Sequence, residues 1–270
     1  MKKLGLIGAG NMAGALIKGL LSAKLYRSQD LLVSDAVPTQ LRKIQRAYKV
    51  AGIKENRALV REAQTVVLAV KPQIIDQVLA EIRPEVTTDK LFISIAAGVP
   101  LWRLENGLGD NARVVRVMPN TPALLGKGIA AIVRGKNAKP KDEKLTLSLF
   151  RGVGEALAIK DEKLMDPVTG LSGSGPAYVY LFAEALIAGG VQQGLDSNVA
   201  TRLTLQTLEG AVAMLKETGK SPKELRDMVT SPGGTTLAGL SRLEAGSFST
   251  TVIAAISAAT QRSQELGRGE

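Results

Sequence analysis

The sequence predicts an α/β fold: a Rossmann-type doubly wound parallel sheet over residues 1–160, followed by an all-α domain over residues 161–270. Three observations predict it. Short runs rich in Val, Ile and Leu alternate with helical segments through the first half. The strand pattern stops after Lys160, where long helical stretches begin. The first strand-to-helix turn is glycine-rich, as a nucleotide-binding crossover requires.

Each element follows in order. Residues 3–8 form an apolar run ending in glycine, and a helix is expected over residues 10–24. Strand-like runs recur at residues 31–34, 65–70, 91–95 and 113–117, spaced widely enough for helical crossovers and hence for parallel pairing. Further strands are expected at residues 128–134 and 155–159, on either side of a charged helix at 141–151. Helices then follow at residues 176–193, 199–217, 222–229, 235–245 and 250–266. Gly219 ends one of them, and Ser221, Pro222 and Glu224 supply the N-cap, first-turn proline and capping-box acid of the next. The helix over residues 178–188 is apolar on nearly every side, and residues 251–259 are dense in small apolar side chains. Neither suits an open surface, so a second subunit is expected to cover them, making this a dimerisation domain.

Composition narrows the chemistry. The 270 residues contain no Cys and no His, which removes thiolate chemistry, imidazole acid–base catalysis and Zn sites built on those side chains. No metal site is expected. No apolar run reaches the roughly 18 residues of a membrane span, so a cytoplasmic protein without membrane partners is expected. The formal charge of +10 is scattered, and 3% aromatic content leaves few stacking platforms, which argues against nucleic acid. Positive charge also favours the approach of an anionic cofactor and an anionic substrate.

Gly8, Gly10 and Ala13, with Asn11 and Met12 between them, match the dinucleotide fingerprint at the first strand-to-helix turn. Gly8 permits the turn, Gly10 the approach of a pyrophosphate, and Ala13 close helix–strand packing. Asp35, 25 residues beyond Gly10, stands where an acid binds the adenosine ribose. It could equally cap the helix that Pro38 begins, and Arg42 and Lys43 could accommodate a 2′-phosphate, so NADH and NADPH both stay open. Ala69-Val70-Lys71-Pro72, Ala96-Ala97-Gly98 and Asn120 with Thr121 end successive strands on the carboxyl edge, where ligands bind in such sheets. Residues 227–236, Asp-Met-Val-Thr-Ser-Pro-Gly-Gly-Thr-Thr, place hydroxyls and a Gly-Gly pair between two helices, a loop suited to a small carboxylate.

Together the motifs at residues 8–13, 69–72, 94–99, 118–123, 173–178 and 227–236 resemble those of the pyrroline-5-carboxylate reductase family, across nearly the whole chain. The resemblance implies reduction of Δ1-pyrroline-5-carboxylate to L-proline by NADPH or NADH, in dimers built through the C-terminal helices, with further assembly up to a decamer open. It implies that Thr236 is the catalytic hydroxyl on the ring nitrogen. Ser231 and the backbone of Gly233, Gly234 and Thr235 would receive the substrate carboxylate, and Val229 would bound the ring. Asn56 would approach the adenosine ribose, while Lys71, Ala97 and Asn120 would lie near the nicotinamide. The β-hydroxyacid dehydrogenases are similar around residues 173–175, but Val179 stands where their catalytic Lys belongs.

Overall fold

The structure is a computed structural model that describes residues 3–268. It divides into two compact units, one formed by the chain up to Ser174 together with the segment from Ser257 onward, the other by Gly175–Ile256.

The first unit is built on β1 (Leu4–Ile7), β2 (Leu31–Ser34), β3 (Ala51–Ile53), β4 (Thr65–Leu68), β5 (Leu91–Ser94), β6 (Arg113–Met118), β7 (Gly128–Arg134) and β8 (Gly154–Ala158). Among the described residues these form one eight-stranded sheet in the order β3-β2-β1-β4-β5-β6-β7-β8. All neighbours are parallel except β6 and β7, which pair antiparallel through the connection at Thr121–Leu125. The strand order reverses between β1 and β4, the place where the carboxyl ends of such a sheet form a ligand crevice. Seven strands were expected from the sequence; the eighth is β3. Its three residues include a glycine and lie at the sheet's rim, so neither length nor apolar alternation announces it.

Helices cover both faces. On one, α1 (Asn11–Ser22), α2 (Pro38–Tyr48) and α6 (Pro140–Arg151) bury Leu16, Ile17, Ile44, Leu149 and Phe150. On the other, α3 (Asn56–Glu62), α4 (Ile75–Ile82) and α5 (Leu101–Leu108) bury Leu59, Ile75, Leu79 and Leu104. Each such side chain contributes about 1.5–3 kcal/mol on leaving water, so the two layers hold the sheet edge as a rigid frame. At the far end of β5 the buried Lys90 ammonium donates to the carbonyls of Val60 (2.6 Å) and Ala63 (2.9 Å), closing the last turn of α3.

The short α7 (Met165–Val168) runs into a π-turn over Thr169–Gly173. In the second unit, α8 (Gly175–Gln192), α9 (Ser197–Glu217), α10 (Pro222–Met228) and α11 (Thr235–Ala245) follow, and α12 (Phe248–Arg268) ends back in the first unit. Its Ser263 hydroxyl donates to Asp166 Oδ1 at 2.7 Å. The expected capping box is present: Ser221 Oγ accepts the Glu224 N–H and Glu224 Oε2 accepts the Ser221 N–H. Gly219 ends α9 at φ +68°, in the left-handed region. Helices α8, α10 and α11 bury no residue, and α9 buries only Ala200 and Thr204. Tyr180 and Leu181 are 58% and 67% exposed, with Leu203, Leu205 and Ile253 also open to solvent.

Candidate active site

The crevice begins at the glycine turn. Gly8 sits at φ +104°, its N–H donates to the Ser34 carbonyl at 2.8 Å, and a Cβ there would collide with the Ala69 carbonyl. Only glycine satisfies both limits. Gly10 has open space where its Cβ would be, and it precedes α1 with no side chain capping the helix. The first-turn N–H groups of α1 therefore face the crevice without a side-chain partner, the arrangement that receives a pyrophosphate. Asn11 and Met12 open that helix, while Ala13 is buried against the sheet.

The Asp35 carboxylate does two jobs. One oxygen accepts the Ala9 N–H at 2.7 Å and the other the Val37 N–H at 2.7 Å, so it ties the glycine turn to the start of α2. The capping reading of Asp35 is thus present at the entry to α2, and the same side chain also fixes the glycine turn. Asn56, at the start of α3, is equally committed. Its Oδ1 accepts the buried Ser34 hydroxyl at 2.7 Å and its Nδ2 donates to Glu81 Oε2 at 2.8 Å.

Ala69, Val70, Lys71 and Pro72 leave the end of β4, where Ala69 N–H donates to the Ile7 carbonyl at 2.8 Å. Lys71 is exposed at the rim. Ala96 and Ala97 leave β5, with the Ala96 N–H held by the buried Ser94 hydroxyl at 3.3 Å. Asn120 follows β6; its Oδ1 accepts the Ile129 N–H at 2.9 Å and its Nδ2 donates to the Ser172 carbonyl at 3.1 Å. That amide holds the β6–β7 connection and the π-turn together. Gly173 lets the π-turn close on Met118, whose methyl would meet a Cβ there.

Behind this edge, Arg116 in β6 is 5% exposed and donates to Glu162 Oε1 at 2.8 Å, an oxygen that also accepts the Leu101 N–H at 2.6 Å. The Ser34–Asn56–Glu81, Asn120–Ser172 and Arg116–Glu162 contacts escaped sequence reasoning. Each links residues at least 22 positions apart, and no local pattern marks them.

The loop at residues 227–236 lies in the second unit. Arg226 and Asp227 carbonyls accept the Val229 and Thr230 N–H groups, finishing α10. The Lys223 ammonium donates to the Asp227 carboxylate and holds its pKa below the ordinary 3.8. Gly233 adopts φ +70°, and Gly234 begins α11 without a side-chain cap, its N–H donating to the Ser231 carbonyl at 3.0 Å. A Cβ on Gly234 would strike the Ser231 hydroxyl. Val229 is 65% exposed, Thr236 half-buried, and the hydroxyls of Ser231, Thr235 and Thr236 take no hydrogen bond among the described residues. The loop thus presents free hydroxyls and a free helix N-terminus together, which suits a small anion carrying a polar ring. Among the described residues no group of three or more acids is placed to hold a metal ion, and no helix is long and apolar enough to cross a membrane.

A family model described as pyrroline-5-carboxylate reductase dimerisation matches residues 162–266. Another, described as NADP oxidoreductase coenzyme F420-dependent, matches residues 3–98. The pyrroline-5-carboxylate reductase of Methanosarcina acetivorans is 43% identical over 99% of this chain and 98% of its own. The chain belongs to the pyrroline-5-carboxylate reductase family. Solved structures agree: a pyrroline carboxylate reductase of Plasmodium falciparum with NADP bound has TM-score 0.90 at 38% identity, and that of Coxiella burnetii 0.91 at 36%, each covering 98% of both chains. This pyrroline-5-carboxylate reductase family member therefore has an α/β cofactor sheet and an all-helical region that matches the family's dimerisation model.

Proposed function

We propose that this chain reduces the C=N bond of Δ1-pyrroline-5-carboxylate with NADPH or NADH, giving L-proline, in the cytoplasm. The full-length 43% identity to a pyrroline-5-carboxylate reductase carries the reading. The convergence of the glycine turn, Asp35, Asn56 and the strand ends at 69–72, 96–97 and 120 on one edge supports it. In this reading residues 1–160 hold the cofactor, and residues 161–270 hold the substrate and the partner subunit.

When bound, the nicotinamide supplies a hydride from C4. The chain's own part is placement. Gly8 and Gly10 admit the pyrophosphate, the α1 N-terminus stabilises its charge, and Ala96 and Ala97 leave room for a flat ring. Thr236 Oγ orients the ring nitrogen, Ser231 and the N–H groups from Gly233 to Thr235 receive the carboxylate, and Val229 covers the ring's apolar edge. The substrate enters as the protonated iminium. Hydride adds to the carbon of the C=N bond, the π pair moves to nitrogen, and the proton already on nitrogen remains there. No strong general acid is needed, which is consistent with a chain lacking His.

The chain assembles at least as a dimer through its helical unit, whose exposed apolar faces need covering. The test is loss of NADPH or NADH absorbance on adding pyrroline-5-carboxylate, with proline assayed in parallel. One proline per cofactor oxidised is expected; folded protein that oxidises neither cofactor would overturn the proposal.

A further inference from the structure

We propose that Ser263 is a positioning residue for hydride transfer. Through Asp166 it seats the end of α12 against the turn at residues 96–98, the turn that the reductase reading above sets beside the nicotinamide. The inference rests on that reading and deepens it.

The turn has few contacts of its own. The Ala96 carbonyl accepts the Val99 N–H at 3.4 Å and the Ser94 hydroxyl accepts the Ala96 N–H at 3.3 Å, both long for such bonds. Between them Gly98 adopts φ +71°, in the left-handed region that glycine reaches most readily. A turn closed so loosely takes its place from what packs behind it.

Behind it lies α12. A Cβ on Gly98 would stand 3.1 Å from Leu266 Cβ and 3.7 Å from the Ser263 carbonyl, and a Cβ on Gly267 would stand 3.3 Å from the Gly98 carbonyl. Ser263, Leu266 and Gly267 are spaced i, i+3 and i+4, so they share one face of the helix. Two glycines bring helix and turn close to backbone contact. A shift of this face is therefore passed to the turn rather than absorbed by a long side chain.

A chain of polar contacts holds the face in place. Ser263, 3% exposed, donates to Asp166 Oδ1 at 2.7 Å, and the same oxygen lies 3.9 Å from the Arg116 guanidinium. Arg116 donates to Glu162 Oε1 at 2.8 Å, which also accepts the Leu101 N–H at 2.6 Å, three residues beyond Gly98. The contacts close a ring from Gly98 through α12, Asp166, Arg116 and Glu162 to Leu101. Ser263 supplies the link from α12. The turn at Gly8 and Gly10 follows β1 and is tied to β2 through Ser34 and Asp35, outside this ring. Removing the Ser263 hydroxyl thus separates placement of the nicotinamide from anchoring of the rest of the cofactor.

The test compares the full-length wild type, Ser263→Ala and Ser263→Thr. Single-turnover oxidation of NADPH and NADH by pyrroline-5-carboxylate reads hydride transfer. Calorimetry reads binding of each cofactor and of its nicotinamide-free fragment, 2′-phospho-ADP-ribose or ADP-ribose. Ser263→Ala is expected to slow hydride transfer about tenfold, against about a hundredfold for a full 1 Å misplacement. It should lower the ratio of cofactor to fragment affinity about threefold, with fragment affinity unchanged. Ser263→Thr keeps the hydroxyl and should retain most of both. Unchanged hydride transfer in Ser263→Ala, a loss that fragment binding shares, or a Thr variant as slow as the Ala variant would overturn the inference. If the wild type reduces pyrroline-5-carboxylate with neither cofactor, the reductase reading fails, and the cofactor-to-fragment ratios still decide whether Ser263 positions the nicotinamide.

Discussion

Thr236 stands half-buried in the first turn of α11 with its hydroxyl unengaged, where a ring nitrogen can take it. Thr236→Ala is expected to lower kcat/KM by about tenfold to a thousandfold, the cost of losing a hydrogen bond aimed at the transition state. Steady-state kinetics checks this, and unchanged kinetics would remove Thr236 from the mechanism. Asp35 makes a different prediction, because both its oxygens hold backbone rather than ligand. Asp35→Ala should loosen the glycine turn and weaken NADPH and NADH by similar factors, about tenfold. A loss confined to NADH would return Asp35 to the ribose. The glycines were legible in the sequence because their constraint is local: a φ of +104° at Gly8 and an open approach at Gly10. The bonds of Asp35 to Ala9, Asn56 to Ser34 and Asn120 to Ser172 were not, since hydrogen bonds across 22 to 52 residues leave no spacing to read, whereas the short Asp35–Val37 contact was.

Helix entries show how much of each element was written in its own residues. The box at Ser221 and Glu224 appears as the sequence predicts, and so do the Pro222 start and the Gly219 stop. β3 escaped notice because it gains its pairing from β2 rather than from its own composition. The antiparallel turn of β7 was equally hidden, because its apolar run suits either direction. Arg113 at the start of β6 and Asp142 in the first turn of α6 form a part-buried ion pair that joins sheet to helix. Burial alone would raise the Asp142 pKa, but hydrogen bonds from the Arg113 side chain and the Lys139 backbone, with nearby positive charge, bring it below the ordinary 3.8. A depressed carboxyl contributes stability above its unfolded pKa and loses it as pH falls through the folded value. Thermal melting should therefore be insensitive to this pair near neutrality and fall below about pH 4. Asp142→Asn should already lose about 1–3 kcal/mol at pH 7, because it removes the carboxylate charge that accepts two hydrogen bonds from Arg113. Melting curves across that range check both statements.

On the scale of the whole molecule, the two units differ in what finishes them. The sheet unit closes two apolar layers within one chain, whereas α8, α10 and α11 bury nothing of their own. A free-standing unit with Leu181 67% exposed beside Tyr180 needs a second copy to bury it. Leu181→Glu is expected to raise the dimer dissociation constant by about a hundredfold or more, since a buried leucine contributes about 1.5–3 kcal/mol and a buried carboxylate costs further. Light scattering across a dilution series reads this directly, and an unchanged dimer would place the interface elsewhere. The need for a partner was legible in the all-round apolar helix at residues 178–188; which faces meet was not, because an interface is set by shape rather than by periodicity. The claim on which the rest depends is hydride transfer to the C=N carbon. Protein supplied with pyrroline-5-carboxylate and NADPH deuterated on both faces of nicotinamide C4 should yield L-proline carrying a single deuterium at the former imine carbon. Unlabelled proline, or cofactor oxidised with no proline formed, would contradict the account.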